Sequence, residues 1–467
     1  MSLPPELTID EFQGGTFGFT KPQGWLAWLG FAFAIVLIIV GGIILMPIVS
    51  AAGFLGLIAS TPAPLQEKLD NLRRKLRPRA VKIRQDEGGL ELQSFWNSAT
   101  IHRPSYMARD WVFPPHGEEE WSDDIYAADK SGDLIPEHPN RVGTPTPPML
   151  SNYGVFALLA YLCVGLQVYI LGYTSGTGYT GDETESVPSN YFSTEGIESF
   201  LYIYVGLAAV WLLASVFMWK RAQAMADTPT QNIRSMAVGP AELVGQVRRW
   251  KSPAPLVIVD GDRSKTVEDL HLWRWEYEVE IEEEYEVTVT DSDGNTSTET
   301  RTKRYWQTIR SDSGHHDFIL HDGTGGVVVR PGKFRRSEVG DYLVRWGCRH
   351  DTRARGLVTN LFVLGFSRGD KRILRHRWTV HGLEYLDPCY MMGTAKIRSR
   401  KEMKAEGDVE STRQNRKLEM VGEDAPGFKA RLEKGTELTA MGRVRSQVEY
   451  LIIPTVCLLG AISMFAI

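Results

Sequence analysis

The stretch WRWEYEVEIEEEYEVTV, Trp273 to Val289, decides the fold of the largest polar block in the chain. Trp275, Tyr277, Val279, Ile281, Tyr285, Val287 and Val289 fall on one face, and Glu276, Glu278, Glu280, Glu282, Glu284 and Glu286 on the other. Period two over that length is a strand. The turn-like DSDGN, Asp291 to Asn295, reverses the chain, and a basic strand Arg301 to Ile309 follows. Acids and bases then face each other across a hairpin, each pair contributing roughly 0.2–1 kcal/mol. The acidic row reads as a solvated sheet face ahead of a cation-binding surface. Shorter strands are expected at Leu243 to Val247, Asp317 to Leu320, Gly326 to Arg330, Trp378 to His381, Tyr390 to Ile397 and Leu438 to Arg445. Between them Arg349 to Asp370 and Lys401 to Lys434 read as insertions, the second charged and helical or partly disordered. The block from Lys220 to Val448 is thus expected to be a β-rich, partly open barrel or sandwich of roughly 150 residues, α+β with its loops.

Apolar runs flank this block. Uncharged stretches at Pro22 to Gln66, Asn152 to Gly181, Ser199 to Trp219 and Tyr450 to Ile467 each approach the ~20 residues that cross a bilayer as a helix. The expected organisation is a tail (1–24), a first membrane region (25–59), a basic and then Trp/Pro/acid-rich segment (60–150), a span (152–173), an external loop (174–198), a span (199–219), the β-rich block (220–448) and a last span (449–467), which would end the chain within the bilayer. The first region is read as one crossing over Trp25 to Met46 followed by an interfacial helix, with a tight two-span hairpin as the alternative, because Pro47 and Gly53 interrupt it. Lys68, Arg73, Arg74, Lys75, Arg77, Arg79, Lys82 and Arg84 follow it, whereas the loop 174–198 has no Lys or Arg. Positive residues stay cytoplasmic, so the expectation is a multi-pass protein of the cell membrane with its N-terminus outside and its main domain in the cytoplasm. Leucines 65, 69, 72 and 76 give Pro64 to Leu76 a helical stripe with a basic opposite face, suited to anionic headgroups or simply to flanking a span. Residues Ser94 to Pro148 read as an irregular loop that packs on the main domain or a partner.

Composition narrows the function. A formal charge of -5 among 467 residues and the lack of a basic stripe interleaved with aromatics argue against nucleic acid. The four cysteines form no C-x-x-C pair; Cys348, His350, His376, His381, Cys389, His315, His316 and His321 read as scattered residues rather than a zinc site. GTGYTG, Gly176 to Gly181, matches a dinucleotide fingerprint in letters but follows a membrane span instead of a strand. Asp291, Asp293 and Asn295 match a calcium loop only in part, with Gly294 two positions early and Thr302 where the bidentate acid belongs. The apolar runs hold no acid or base to line an ion path. No catalytic, cofactor or metal residue is assigned.

Three ordered pieces carry a family resemblance: TPTQNIRSMAVGPAELVGQVRR (Thr228 to Arg249), LHLWRWEYEVE (Leu270 to Glu280) and RYWQTIRSDSGHHDFILHDGTGGVVVRP (Arg304 to Pro331), with EYLDPCYMMGTAK (Glu384 to Lys396) further on. Together they resemble the GIDE, or "beside a membrane", domain over roughly residues 227–445. The motif positions are Gly239, Glu242, Gly245, Trp306, Phe318, Leu320, Asp322, Gly323, Thr324 and Gly325, read as structural: Trp306, Phe318 and Leu320 as core, Gly323 and Gly325 as turn. The resemblance implies a membrane-flanked domain that docks or organises protein partners at the bilayer without catalysis, through the sheet edge or the loop Asp322 to Gly326. Mulan-type relatives add a RING finger and act as ubiquitin ligases. Four dispersed cysteines cannot supply a RING's two zinc sites, so the alternative is a ligase-like component whose RING another chain provides.

Overall fold

The computed structural model describes residues 14–76, 90–94, 97–104, 109–115, 117–176, 194–290, 296–349, 371–425, 429–442 and 444–463. The chain divides into two compact units, one of residues 1–72, 142–229 and 437–467, the other of 73–141 and 230–436. The Trp/Pro/acid-rich segment therefore belongs with the β-rich block rather than standing apart from it.

The first unit is helical: α1 (Trp25–Ile43), α2 (Pro47–Ser60), α3 (Pro64–Leu76), α4 (Asn152–Gly176), α5 (Thr194–Asp227) and α6 (Ile453–Ser463). Among the described residues four helices are long and apolar enough to cross a membrane: Trp25–Ile43, Pro47–Lys75, Asn152–Ile170 and Tyr202–Met225. Among the described residues the C-terminal run forms an apolar helix, Val448–Ser463.

Helices α1 and α2 pack as a tight hairpin. The chain turns at Leu45, whose φ is 50°, and Pro47 then starts α2. Small residues let the backbones approach. A Cβ on Gly53 would stand 2.7 Å from Ile38 Cγ1, and one on Gly41 2.5 Å from Ser50 Oγ. Gly41, Ser50, Gly53 and Gly56 form the seam of this helical hairpin, the packing that the alternative reading of the first region requires.

The outer ends of this hairpin meet the start of α4. Strand β1 (Phe17–Gly18) pairs in parallel with β4 (Leu150–Ser151). The Thr20 amide donates to Asn152 Oδ1 at 2.8 Å, and its hydroxyl to the Pro62 carbonyl at 2.7 Å. The buried Glu449 carboxylate caps α4, accepting from the Ser151 amide at 2.6 Å and the Gly154 amide at 3.1 Å.

Among the described residues the second unit holds two large sheets and a small two-stranded ribbon. Five strands close a barrel: β5 (Gly239–Arg249), β10 (Phe318–His321), β11 (Gly326–Val329), β16 (Leu418–Val421) and β15 (Pro388–Ile397), which pairs back to β5. Only β11 and β16 run parallel within the ring. This is the connectivity of an OB-type Greek-key barrel. Its core holds Leu243, Val247, Phe318, Leu320, Val327, Val329, Met391, Leu418 and Met420. Strands β17 (Arg431–Lys434) and β12 (Ser337–Glu338) extend from β15.

The other sheet runs β2 (Leu90–Ser94), β3 (Asn97–His102), β13 (Val344–Cys348), β14 (Lys371–Glu384), β8 (Leu270–Thr290), β9 (Thr296–His315). It confirms the hairpin read from Trp273–Val289. The inner face carries Trp275, Tyr277, Val279, Ile281, Trp346 and Trp378, covered by a flap with the small ribbon of β6 (Val257–Ile258) and β7 (Thr266–Val267). The turn Asp291–Asn295 and the insertion at 350–370 lie outside the described residues.

Three expectations fail here. Residues 401–434 begin in a helix, Arg400–Glu406, as expected, but are no mere insertion: they supply β16, which closes the barrel, and β17. Leu438–Arg445 is not a strand, since Glu437–Met441 is a helical turn. Residues 97–102, expected in an irregular loop, form β3.

Candidate functional site

The motif positions on β5, β10 and their turn are framework. Gly239 has φ 128°, open to glycine alone. Glu242 is fully buried and accepts from Thr230 Oγ1 at 2.9 Å, tying down the start of the unit. A Cβ on Gly245 would stand 2.7 Å from the His321 carbonyl oxygen, so glycine permits the strand crossing. Phe318 and Leu320 are core, as read.

The loop Asp322 to Gly326, expected to meet a partner, is covered by its own chain. The Asp322 carboxylate accepts from the amides of Ile233 at 2.7 Å, Thr324 at 2.8 Å and Gly325 at 3.0 Å. Burial nevertheless holds its pKa above the ordinary carboxylate value. From outside, the Asp129 amide donates to the Gly323 carbonyl and the Ile135 amide to that of Asp322. Gly323, at φ 93°, lies so close to Asp133 that a Cβ would stand 2.1 Å from its carbonyl oxygen. Segment 125–138 therefore takes the surface this loop would have offered.

Trp306 departs from the core reading. It stands on β9, partly exposed, on the outer face of the six-stranded sheet. Register puts Glu278, Glu280 and Glu282 of β8 between Arg377, Arg375 and Arg372 of β14 on one side and Thr308, Trp306 and Arg304 of β9 on the other. Arg377 Nε donates to Glu278 at 2.8 Å and Arg304 Nε to Glu282 at 2.7 Å, while Arg375 lies 3.5 Å from Glu280. The Arg377 guanidinium stacks 3.9 Å from the Trp306 ring centroid. Side-chain exposure decides what this face presents: 17% for Glu282 and 18% for Glu280, against 64% for Arg304 and 62% for Arg375.

Over Glu278, Glu280 and Glu282 the acidic row is therefore not a solvated anionic face, whereas Glu284 and Glu286 further along β8 are exposed, as expected. The carboxylates of Glu278, Glu280 and Glu282 are recessed beneath guanidiniums, and there the surface offered outward is arginine with one indole. The sequence carried the signal in RILRHRW, Arg372 to Trp378, where arginine recurs along a strand; the expected strand began only at Trp378.

A second polar feature is a cleft of about 530 Å³ lined by His315, Asp317, Arg330, Lys333, Glu402 and Glu419 among others. Arg330 reaches Asp317 at 2.5 Å, both oxygens of Glu402 at 2.7 Å and Glu419 at 2.9 Å. Despite some desolvation, these hydrogen bonds fix the guanidinium charge. Its charges satisfy one another, which makes the cleft an ionic joint.

Of the histidines read as scattered surface residues, His321 and His376 are buried, the latter with Nδ1 2.8 Å from the Tyr277 hydroxyl. Among the described residues no group of three or more His, Cys, Asp and Glu is arranged to hold a metal ion. All four cysteines are free thiols. No protein-family model, curated protein or solved structure matches the chain.

Proposed function

We propose that this is a polytopic membrane protein whose β-rich unit docks protein partners at the bilayer surface without catalysis, as its likeness to the GIDE domain implies. The observation that carries this reading is the outer face of the six-stranded sheet, where exposed Arg304 and Arg375 flank the Trp306 and Arg377 stack. Arginine with an aromatic anchor is the composition of interaction hot spots. The partner surface that complements it is acidic.

Site-specific photocrosslinking in cells tests the reading. A benzophenone side chain at Trp306 or Arg375 is expected to give a discrete adduct that is lost in Arg304→Glu, while one at exposed Val409, on another surface of the unit, gives none. Equal adducts at the face and at Val409, or none at the face, would sink it.

The hairpin also revises the proposed topology. An α1–α2 hairpin returns the chain to the side it left, so residues near Phe17 share a side with the approach to α4 at Leu150. Engineered cysteines at Thr16 and Thr298 should label from the same side of the membrane and one at Thr194 from the other. Labelling of Thr16 and Thr194 together would restore the single crossing.

A further inference from the structure

The helical unit contains a groove of about 360 Å³ between α2, α4 and α5, almost wholly apolar. Small side chains make its floor: Ala51 of α2, Ala157 and Ala160 of α4, and Ala208 of α5. Aromatics make its rims, with Tyr161 and Tyr204 stacked at a centroid distance of 5.3 Å. Two of its polar side chains are engaged within the unit. The Tyr204 hydroxyl donates to the Tyr161 carbonyl at 2.9 Å, and Trp211 Nε1 donates to the Tyr153 hydroxyl at 2.8 Å.

Along α4 the lining runs from Tyr153 to Val164, about 16 Å at the helical rise. That is about half of the ~30 Å hydrocarbon core, the depth of one leaflet. The Tyr153 end carries charge. The Arg445 guanidinium lies 3.8 Å from the Tyr153 ring centroid. Among the described residues, Glu449 is the only carboxylate within reach of Arg445, at 4.0 Å, and its other oxygen is committed to Ser151 and Gly154.

We infer that this groove is a binding site for one anionic phospholipid, an acyl chain lying along Ala157, Ala160 and Ala208 and the phosphate meeting Arg445. The inference rests on the membrane reading of the four apolar helices. An aqueous ligand would leave an apolar groove of this shape wet, whereas an acyl chain fills it with matched surface. Arg445 at the mouth selects the headgroup, since a guanidinium at an interface favours anionic lipid.

The test uses the full chain in mild detergent, with native mass spectrometry after adding phosphatidylglycerol or phosphatidylcholine. The expected result is one tightly held phosphatidylglycerol per chain, preferred about five-fold over phosphatidylcholine, the scale of one basic residue at a headgroup. Arg445→Gln should erase the preference and keep the lipid. Ala157→Phe should remove the adduct, and Leu159→Phe, on the exposed side of α4, should not. Should Ala157→Phe fail to give monodisperse protein, Ala51→Leu fills the groove from the opposite wall and makes the same comparison. An adduct unchanged by both fillings, or a preference that survives Arg445→Gln, overturns the site. Resistance of the chain to alkaline extraction from membranes is measured in parallel, so that failure of the membrane reading is distinguished from failure of the lipid site alone.

Discussion

Asp408→Ala is expected to destabilise the β-rich unit by about 2–3 kcal/mol, the cost of removing one charged hydrogen-bond partner from a buried network in which Arg398 keeps Glu406. Arg398 and Asp408 are both fully buried in their side chains and meet at 2.9 Å. Arg398 also reaches Glu406 at 2.6 Å and donates to the Arg416 carbonyl at 3.1 Å, and its charge is held by these partners against the opposing effect of burial. The pair is the hub of residues 398–417, the link between β15 and β16. Since β16 fills the gap between β11 and β15, loosening this link opens the barrel. Hydrogen exchange is the appropriate measurement, because a chain of two units need not unfold in one step. Amides of Leu418–Val421 should lose protection in Asp408→Ala far more than those of β8. The double variant Arg398→Met with Asp408→Leu removes both charges and should recover most of the loss. Protection of β16 within about 1 kcal/mol of wild type in Asp408→Ala would show that the pair contributes little, as exposed pairs do.

That link marks the limit of what periodicity reveals. Trp273–Val289 declares itself because alternating burial persists through Ile281. Strand β16 has only Leu418 and Met420 facing the barrel core, inside a segment dominated by charge. Its identity comes from the neighbours on either side and from the buried Arg398, none of which is local. Trp306 fails for a related reason: an aromatic residue on a strand suggests core, but its inward or outward sense depends on the bulge between Tyr277 and Glu278. The motif glycines were legible as framework because positive φ and close approach are properties of the residue itself. What covers Asp322–Gly325 was not legible, since segment 125–138 has no period to announce its partner. In the helical unit the small residues Gly41, Ser50, Gly53 and Gly56 are visible in the sequence, yet the break at Pro47 and Gly53 and the basic residues that follow favour one crossing there, because the packing of α1 on α2 is not a local property.

His321 should make the β-rich unit lose stability as pH falls from about 6.5 towards 4. The ring is buried with both nitrogens assigned: Nε2 meets the Ala127 carbonyl at 2.9 Å, and Nδ1 accepts from the Gly323 amide at 3.0 Å. A second proton on Nδ1 would break the latter bond. Burial first, then the Arg248 guanidinium, lowers the imidazole pKa from 6.5 to about 4, against the opposing pull of Asp129 and the Ala127 carbonyl. Asp129 is itself held by Arg248 through bonds of 2.7 and 2.8 Å, so it offers an imidazolium little extra. The folded state therefore binds fewer protons than the unfolded state between these two pKa values, and stability is complete above pH 6.5 and drains away on acidification. Integrated over the window, the loss is about 3 kcal/mol at ~1.36 kcal/mol per pKa unit. Burial raises the carboxyl pKa of Asp322 and of Glu137, and those groups gain protons on folding as pH falls, which works in the opposite sense. The comparison with His321→Gln isolates the imidazole, because glutamine retains a donor and an acceptor while losing the titration. Exchange protection of residues 318–329 measured at pH 7 and pH 4.5 should fall more steeply in the wild type than in His321→Gln, and parallel slopes would mean that the ring is not the group being charged.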